Sequence, residues 1–245
     1  MPVGKKVLDV KGLTGEAFRD VSFHVSEGEI VGFAGLMGAG RTEVMRSLFG
    51  LDAYSAGEIV IKDEAVRIKR VKDSIDRSMV MLSEDRRRYG IVPIRSVREN
   101  VSLANLKRFI YGGRLHAKKE NSTIMDYCER MNVKTPTLDT TVDALSGGNQ
   151  QKVVLAKWML TDPDILIMDE ATRGIDVGAK YEIYKLMTDL VKQKKALVMV
   201  SSELPELIGM CDRIYVMSRG RITGELTSRK EFTQEHIMTL ATAQK

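Results

Sequence analysis

Apolar and polar positions alternate twice near the start of the chain, at Val7-Leu8-Asp9-Val10 and Val21-Ser22-Phe23-His24-Val25. A period of two predicts half-buried strands. Five further runs are apolar without alternation: Ile30-Val31-Gly32-Phe33-Ala34, Met79-Val80-Met81-Leu82, Ile165-Leu166-Ile167-Met168, Ala196-Leu197-Val198-Met199-Val200 and Ile214-Tyr215-Val216-Met217. Short continuous runs of this kind predict strands covered on both faces. The last is followed by a turn at Gly220-Arg221-Ile222-Thr223-Gly224. Residues 56–61 and 65–68 read as a small antiparallel hairpin.

Helical spacing takes over between the runs. Val44, Met45, Leu48 and Phe49 mark a short amphipathic helix ended by Gly50, and Val177, Tyr181, Tyr184, Met187 and Val191 mark a long covering helix. Between Asp85 and about Asp143 the texture is helical, with helices predicted over Ser96–Phe109 and Lys118–Met131 around the Gly112-Gly113 break. Another helix runs from Leu145-Ser146-Gly147-Gly148 through Trp158 to Leu160, closed by Thr161-Asp162-Pro163, and a last one from about Lys230 to Ala243. Strands alternating with helices predict an α/β fold with a mostly parallel sheet, here carrying a small antiparallel β part and a helical insertion.

Composition narrows this picture. The chain has 245 residues, of which 43% are hydrophobic, enough for a substantial core. No run approaches the roughly 18 to 20 apolar residues that cross a bilayer, and no signal-peptide pattern opens the sequence. Cys128 and Cys211 stand alone, without a CxxC spacing, so neither a disulfide framework nor a zinc site is indicated and a reducing cytosol fits. Net charge is +5, but both signs are spread throughout. The densest basic cluster, Arg86-Arg87-Arg88, has no interleaved aromatic platform and reads as a solvated loop rather than a nucleic-acid patch. His24 lies on the polar side of its strand, His116 in an exposed connector and His236 on the last helix, and none is read as a ligand. The 14 methionines fill apolar positions, and Trp158 anchors its helix in the core.

Candidate chemistry begins at Gly35-Leu36-Met37-Gly38-Ala39-Gly40-Arg41-Thr42-Glu43. Strand, glycine-rich loop and helix start follow one another, the context of a phosphate-binding loop. Glycines let backbone N–H groups turn inward, and the helix terminus adds about half a positive charge. The pattern calls for lysine after Gly40, where this chain has Arg41. A second feature, Leu145-Ser146-Gly147-Gly148-Asn149-Gln150-Gln151, opens a helix. Asp169-Glu170 ends an apolar strand, where open α/β sheets bind ligands, and Asp176 follows closely.

In order and spacing these motifs resemble the ATP-binding domain of ABC transporters, over essentially the whole chain. The resemblance implies a phosphate-loop ATPase core at residues 1–84 and 155–245 and a helical subdomain at about 85–154. It implies ATP and Mg²⁺ as cofactors. Backbone from Gly38 through Ala39, Gly40 and Arg41 to Thr42, flanked by Gly35 and Glu43, would cradle the phosphates. Thr42, Asp169 and Glu84 would hold the ion, Glu170 would orient the attacking water, and Ser202 would stand where a histidine normally contacts the γ-phosphate. Ser146, Gly147, Gly148 and Asn149 would cap nucleotide bound on a second ATP-binding domain in a head-to-tail pair, met also by Arg173–Asp176.

More narrowly, Gly-Leu-Met-Gly-Ala-Gly-Arg-Thr-Glu, Ser-Glu-Asp-Arg-Arg-Arg and Leu-Ser-Gly-Gly-Asn-Gln-Gln-Lys resemble the second domain of the fused ATPases of bacterial monosaccharide importers. The chain would then be a C-terminal half beginning near Pro2, or a natural chain starting at Met1, peripheral on the cytoplasmic face of the membrane. It would serve permease subunits, met at Glu84 and Arg86–Arg88, and indirectly a sugar-binding protein. The alternatives are a fully competent ATPase at its own site, or a soluble ABC ATPase unrelated to transport, which would carry a second signature or a long coiled coil. Departures from the family pattern are Arg41 for lysine, Glu84 for glutamine, Ser202 for histidine and Ala171 for proline. The usual adenine-stacking aromatic is also missing, with Phe18 the nearest candidate.

Overall fold

In the computed structural model, residues 4–243 are described; the expected start near Pro2 lies outside them. In chain order come strands β1 (Lys6–Gly15), β2 (Val21–Ser26) and β3 (Ile30–Gly35), helix α1 (Arg41–Phe49), strands β4 (Tyr54–Ile61) and β5 (Glu64–Val66), helix α2 (Val71–Ile75) and strand β6 (Met79–Leu82). Helical turns at Arg86–Gly90 and Leu103–Phe109 flank α3 (Val97–Ser102). The two-residue strands β7 (Ile110–Tyr111) and β8 (Arg114–Leu115), α4 (Ala117–Arg130) and α5 (Gly147–Met159) follow. The remaining elements are β9 (Ile165–Asp169), α6 (Val177–Lys192), β10 (Ala196–Val200), α7 (Leu204–Met210), β11 (Arg213–Ser218), β12 (Arg221–Leu226) and α8 (Gln234–Thr242).

These elements form two compact units. Of the described residues, one unit contains those up to Met81, Asp164–Ala171 and those from Met187 on; the other contains Leu82–Pro163 and Thr172–Leu186. In the first unit one sheet has the order β2-β1-β4-β5 and is antiparallel, and the other has the order β12-β11-β3-β10-β9-β6. Strands β11, β3, β10 and β9 are mutually parallel, while β12 joins β11 antiparallel. The segment expected as a turn at 220–224 is thus largely an edge strand. The apolar runs are buried as expected, with every residue of β9, β10 and β11 in the interior. Val200 pairs with both Phe33 and Asp169, so the C-terminal ends of β3, β10 and β9 come level.

Phe23 of β2 meets Phe33 of β3 edge-on at 4.8 Å and Tyr215 of β11 at 5.9 Å, joining the two sheets. Arg213 fastens the same region. It donates to both carboxylate oxygens of Glu29 (2.9 and 3.1 Å), to Glu225 (2.7 Å), to the Tyr215 hydroxyl (2.7 Å) and to the His24 carbonyl (2.9 Å). His24, expected at the surface, is half-buried with Nδ1 3.4 Å from Arg213, and burial followed by that positive charge lowers its pKa. Phe18 is core, 2% exposed.

In the second unit α3, α4 and α5 pack on one another, and Val97, Val101, Ile124, Cys128, Val153 and Val154 on them are buried. Helix α3 starts on a reciprocal cap in which Ser96 Oγ accepts from the Glu99 N–H and Glu99 accepts from the Ser96 N–H. The helix expected to run on to Phe109 breaks at Asn105 (φ −140°, ψ 39°), whose side chain donates to the Leu160 carbonyl instead. The expected stripe on α6 also differs. Val177 and Tyr181 are 83% and 71% exposed, and the buried face is Ile183, Met187 and Leu190. Helix α8 starts at Gln234 rather than Lys230, because Thr233 caps it by accepting from the His236 N–H. His236 is exposed, and His116, also exposed, packs its ring on Tyr111 at 5.2 Å.

Candidate functional site

Strand β3 ends in the loop that leads to α1. Its path depends on two glycines: a Cβ at Gly35 (φ +154°) would lie 2.6 Å from the Met217 carbonyl oxygen, and one at Gly40 (φ +95°) 3.1 Å from that of Ala17. Gly220 N–H donates to the Ala39 carbonyl at 3.0 Å and pins the loop. Gly40 sits at the cap of α1 and offers the helix no side-chain acceptor, so no cap satisfies the N–H groups of its first turn. A helix terminus left this way attracts an anion.

The level strand ends bring the other residues to this loop. Thr42 Oγ1 donates to Asp169 Oδ1 at 3.0 Å. Glu170, 9% exposed and held in the left-handed region (φ +49°), donates its N–H to the Val200 carbonyl at 2.9 Å. One carboxylate oxygen of Glu170 accepts from Ser202 Oγ at 3.0 Å; the other lies 4.0 Å from Arg41 Nη2, at the outer edge of an ion pair. Arg41 Nη1 donates to the Ser201 carbonyl at 2.8 Å. The expected residues Gly35, Gly38, Ala39, Gly40, Arg41, Thr42, Glu43, Asp169, Glu170 and Ser202 all belong to this unit. Sequence reasoning missed Ser201, because its contribution is a backbone carbonyl that no side-chain identity advertises.

The remaining candidates belong to the second unit. Ser146 caps α5 by accepting from Asn149, through its N–H and, at 3.0 Å, through its side-chain amide. Asn149 Oδ1 in turn accepts from the Lys134 N–H at 2.8 Å. Gly148 has to be small, since a Cβ there would lie 2.6 Å from that of Ala179 on α6. Asp176 caps α6 by accepting from the Ala179 N–H at 2.9 Å. Glu84 is paired with Arg173, and Lys152, 2% exposed, bridges Glu182 and the Asn132 carbonyl. That pairing with Lys152 draws the Glu182 pKa down. Arg86, expected in a solvated loop, is half-buried and donates to Gln150; burial, then Arg87, lowers its pKa.

The loop unit fits nucleotide with its metal ion. Uncapped N–H groups at a glycine-rich helix start suit phosphate. The Thr42–Asp169 pair is oxygen-only, and Mg²⁺ is held by one or two carboxylates together with substrate phosphates. No cluster of three or more His, Cys, Asp or Glu among the described residues could hold a metal alone.

The family model described as ABC transporter matches residues 18–173. A protein of Rhizobium etli, provisionally named a ribose/galactose/methyl galactoside import ATP-binding protein, is 51% identical over 99% of this chain and 46% of its own length. The ribose import ATP-binding protein RbsA of Bacillus subtilis is 49% identical over 98% of the chain and 49% of its own. The chain thus spans about half the length of the curated relatives it matches. Among solved structures, an ATP-binding cassette of an ABC transporter in its ADP conformation superposes with a TM-score of 0.81 at 16% identity, covering 98% of this chain and all of that one.

Proposed function

This chain belongs to the ABC transporter family, and from that we propose that it is an ATP-binding domain energising a bacterial importer of ribose- or galactose-type sugars. The names carried by its relatives at about half identity support the substrate class. Their double length supports placing it as one half of a two-domain protein, and the resemblance of its three motifs to second domains is the ground for taking the C-terminal half. Its place would be the cytoplasmic face of the membrane, against permease subunits at Glu84 and Arg86–Arg88. Among the described residues no helix is long and apolar enough to cross a membrane.

At its own site the chain binds ATP and turns it over weakly. N–H groups of Gly38 to Thr42 would hold the phosphates, and Thr42 and Asp169 would hold Mg²⁺. When bound, the ion neutralises charge developing on the phosphate oxygens. Glu170 orients water, and the Ser202 hydroxyl fixes Glu170. Arg41 supplies a planar fork where a compact ammonium is usual, which binds phosphate without reproducing a point charge in a tight loop. Loss of one preorganised donor costs about 2.7 to 4 kcal/mol, or roughly 10² to 10³ in rate. Ser146, Gly147, Gly148 and Asn149, intact at the start of α5, complete the nucleotide site of the partner domain, with Asp176 at the same junction.

One observation carries this reading. Arg41 engages the Ser201 carbonyl and Glu170, while the Ser146–Asn149 cap is fully formed. Equilibrium dialysis and a steady-state ATPase assay on the chain test it. Mg-ATP should bind, with turnover about a hundredfold or more below a lysine-bearing site. Fast turnover that disappears in Glu170→Gln would show a competent own-site ATPase instead.

A further inference from the structure

We propose that Arg41 and Glu170 form an internal latch, in which Arg41 is a positioning residue that holds Glu170 until a nucleotide phosphate draws the guanidinium away. The inference rests on reading residues 35–43 as a nucleotide loop and adds a regulatory contact within it.

Arg41 is the first residue of α1, and its stem lies against Gly35, where an added Cβ would come within 3.4 Å of Arg41 Cδ. The side chain runs to the ends of β9 and β10. A guanidinium presents two amino groups in one rigid plane, so it serves acceptors on two strands at once. Here Nη1 takes the Ser201 carbonyl at 2.8 Å and Nη2 faces Glu170 at 4.0 Å.

Both acceptors are themselves fixed. Ser201 Oγ donates to Glu206 at 2.7 Å and accepts from the Glu203 N–H at 3.0 Å, which holds the peptide carrying that carbonyl. Glu170 has a left-handed backbone, and its other oxygen accepts from Ser202 at 3.0 Å. The carboxylate therefore has a donor on one oxygen and a cation beside the other. With Arg41 and Glu170 side chains only 11% and 9% exposed, water screens their attraction little.

A phosphate on the α1 N-terminus competes for the same guanidinium, since paired N–H donors match its oxygens as they match a carboxylate. Part of each binding event is then an exchange of Arg41 from Glu170 and Ser201 to the ligand. Glu170 is free to orient water only after that exchange.

The test is a double-mutant cycle on binding of a fluorescent ADP analogue with Mg²⁺, using wild type, Glu170→Gln, Arg41→Ala and the double variant. ADP keeps hydrolysis and closure around a γ-phosphate out of the measurement. Glu170→Gln should tighten binding about threefold or more while Arg41 is present, as expected for coupled residues in contact, and leave affinity nearly unchanged in the Arg41→Ala background. Equal tightening in both backgrounds would mean only that a negative charge had been removed near phosphate, and would overturn the latch, as would no tightening at all. Arg41→Gln replaces Arg41→Ala if the latter does not fold. In the ligand-free protein the two substitutions should lower Tm less than additively; full additivity counts against the contact. Nucleotide binding without coupling removes the latch alone. No nucleotide binding by folded wild type removes the loop reading and the latch with it.

Discussion

Arg213 is 7% exposed and Glu29 4%, and they are joined by two hydrogen bonds in the interior of the first unit. Burial works against the Arg213 charge, but the hydrogen bonds it donates to Glu29 and then Glu225 outweigh that and raise its pKa. Breaking such a pair from one side strands a charge and costs about 3 to 5 kcal/mol, whereas replacing both partners with apolar groups is often near neutral. Arg213→Met should therefore lower the unfolding free energy from urea melts by that much, and Arg213→Met with Glu29→Met should recover most of it. A loss below about 1 kcal/mol in the single variant would show the pair to be dispensable. The sequence hints only that an arginine opening a buried strand needs a partner. Glu29 lies 184 positions away, and nothing in the chain's pattern links them. Motif residues were legible for the opposite reason: Gly35–Glu43, Ser146–Asn149 and Asp169-Glu170 carry their context beside them in sequence. The acceptor of Arg41, a backbone carbonyl, does not.

Helices and strands were legible wherever a short run is simply apolar, as in β9 and β10, and less so where a polar side chain competes with the backbone, as Asn105 does after α3. The α6 stripe misled because Val177 and Tyr181 share the helical spacing of buried residues while standing exposed beside Asp176. Helix α5 carries a different conflict. Lys157 is 7% exposed, donates to the Gly90 carbonyl at 2.5 Å and lies 4.7 Å from the Trp158 ring centroid. Burial pulls its pKa down to about 8. An unfolded lysine titrates near 10.4. Between these values the unfolded chain binds more protons, so this residue makes stability rise with pH from about 8 to about 10.4, by up to roughly 3 kcal/mol. Below pH 8 both states are charged and the burial penalty is constant. Lys157→Met should flatten that rise in denaturant melts compared with wild type, whatever it does to stability at pH 7. Parallel pH profiles for the two proteins would place the ammonium in solvent.

At the scale of the molecule, the alternation of strands and helices was enough to foresee a mostly parallel sheet with a small antiparallel sheet and helices. The division into units was not readable to the residue, because α6 passes from one to the other with no break in its helical spacing. The division matters for chemistry. The loop and its carboxylates belong to one unit, and the Ser146–Asn149 cap and Asp176 belong to the other. If the cap serves a partner domain, damage to the two units must separate functionally. Ser146 is exposed, and replacing a cap residue costs about 1 kcal/mol, too little to unfold a domain. In the protein joining this chain to its partner domain, Ser146→Arg should lower ATP turnover by roughly a hundredfold or more, the scale of a lost preorganised donor. It should leave nucleotide affinity of the chain on its own unchanged. Arg41→Ala should do the reverse, shifting this chain's own affinity while most of the joined protein's turnover persists. Loss of turnover from Arg41→Ala but not from Ser146→Arg would mean that hydrolysis resides at this chain's own loop, and that the cap at α5 is structural.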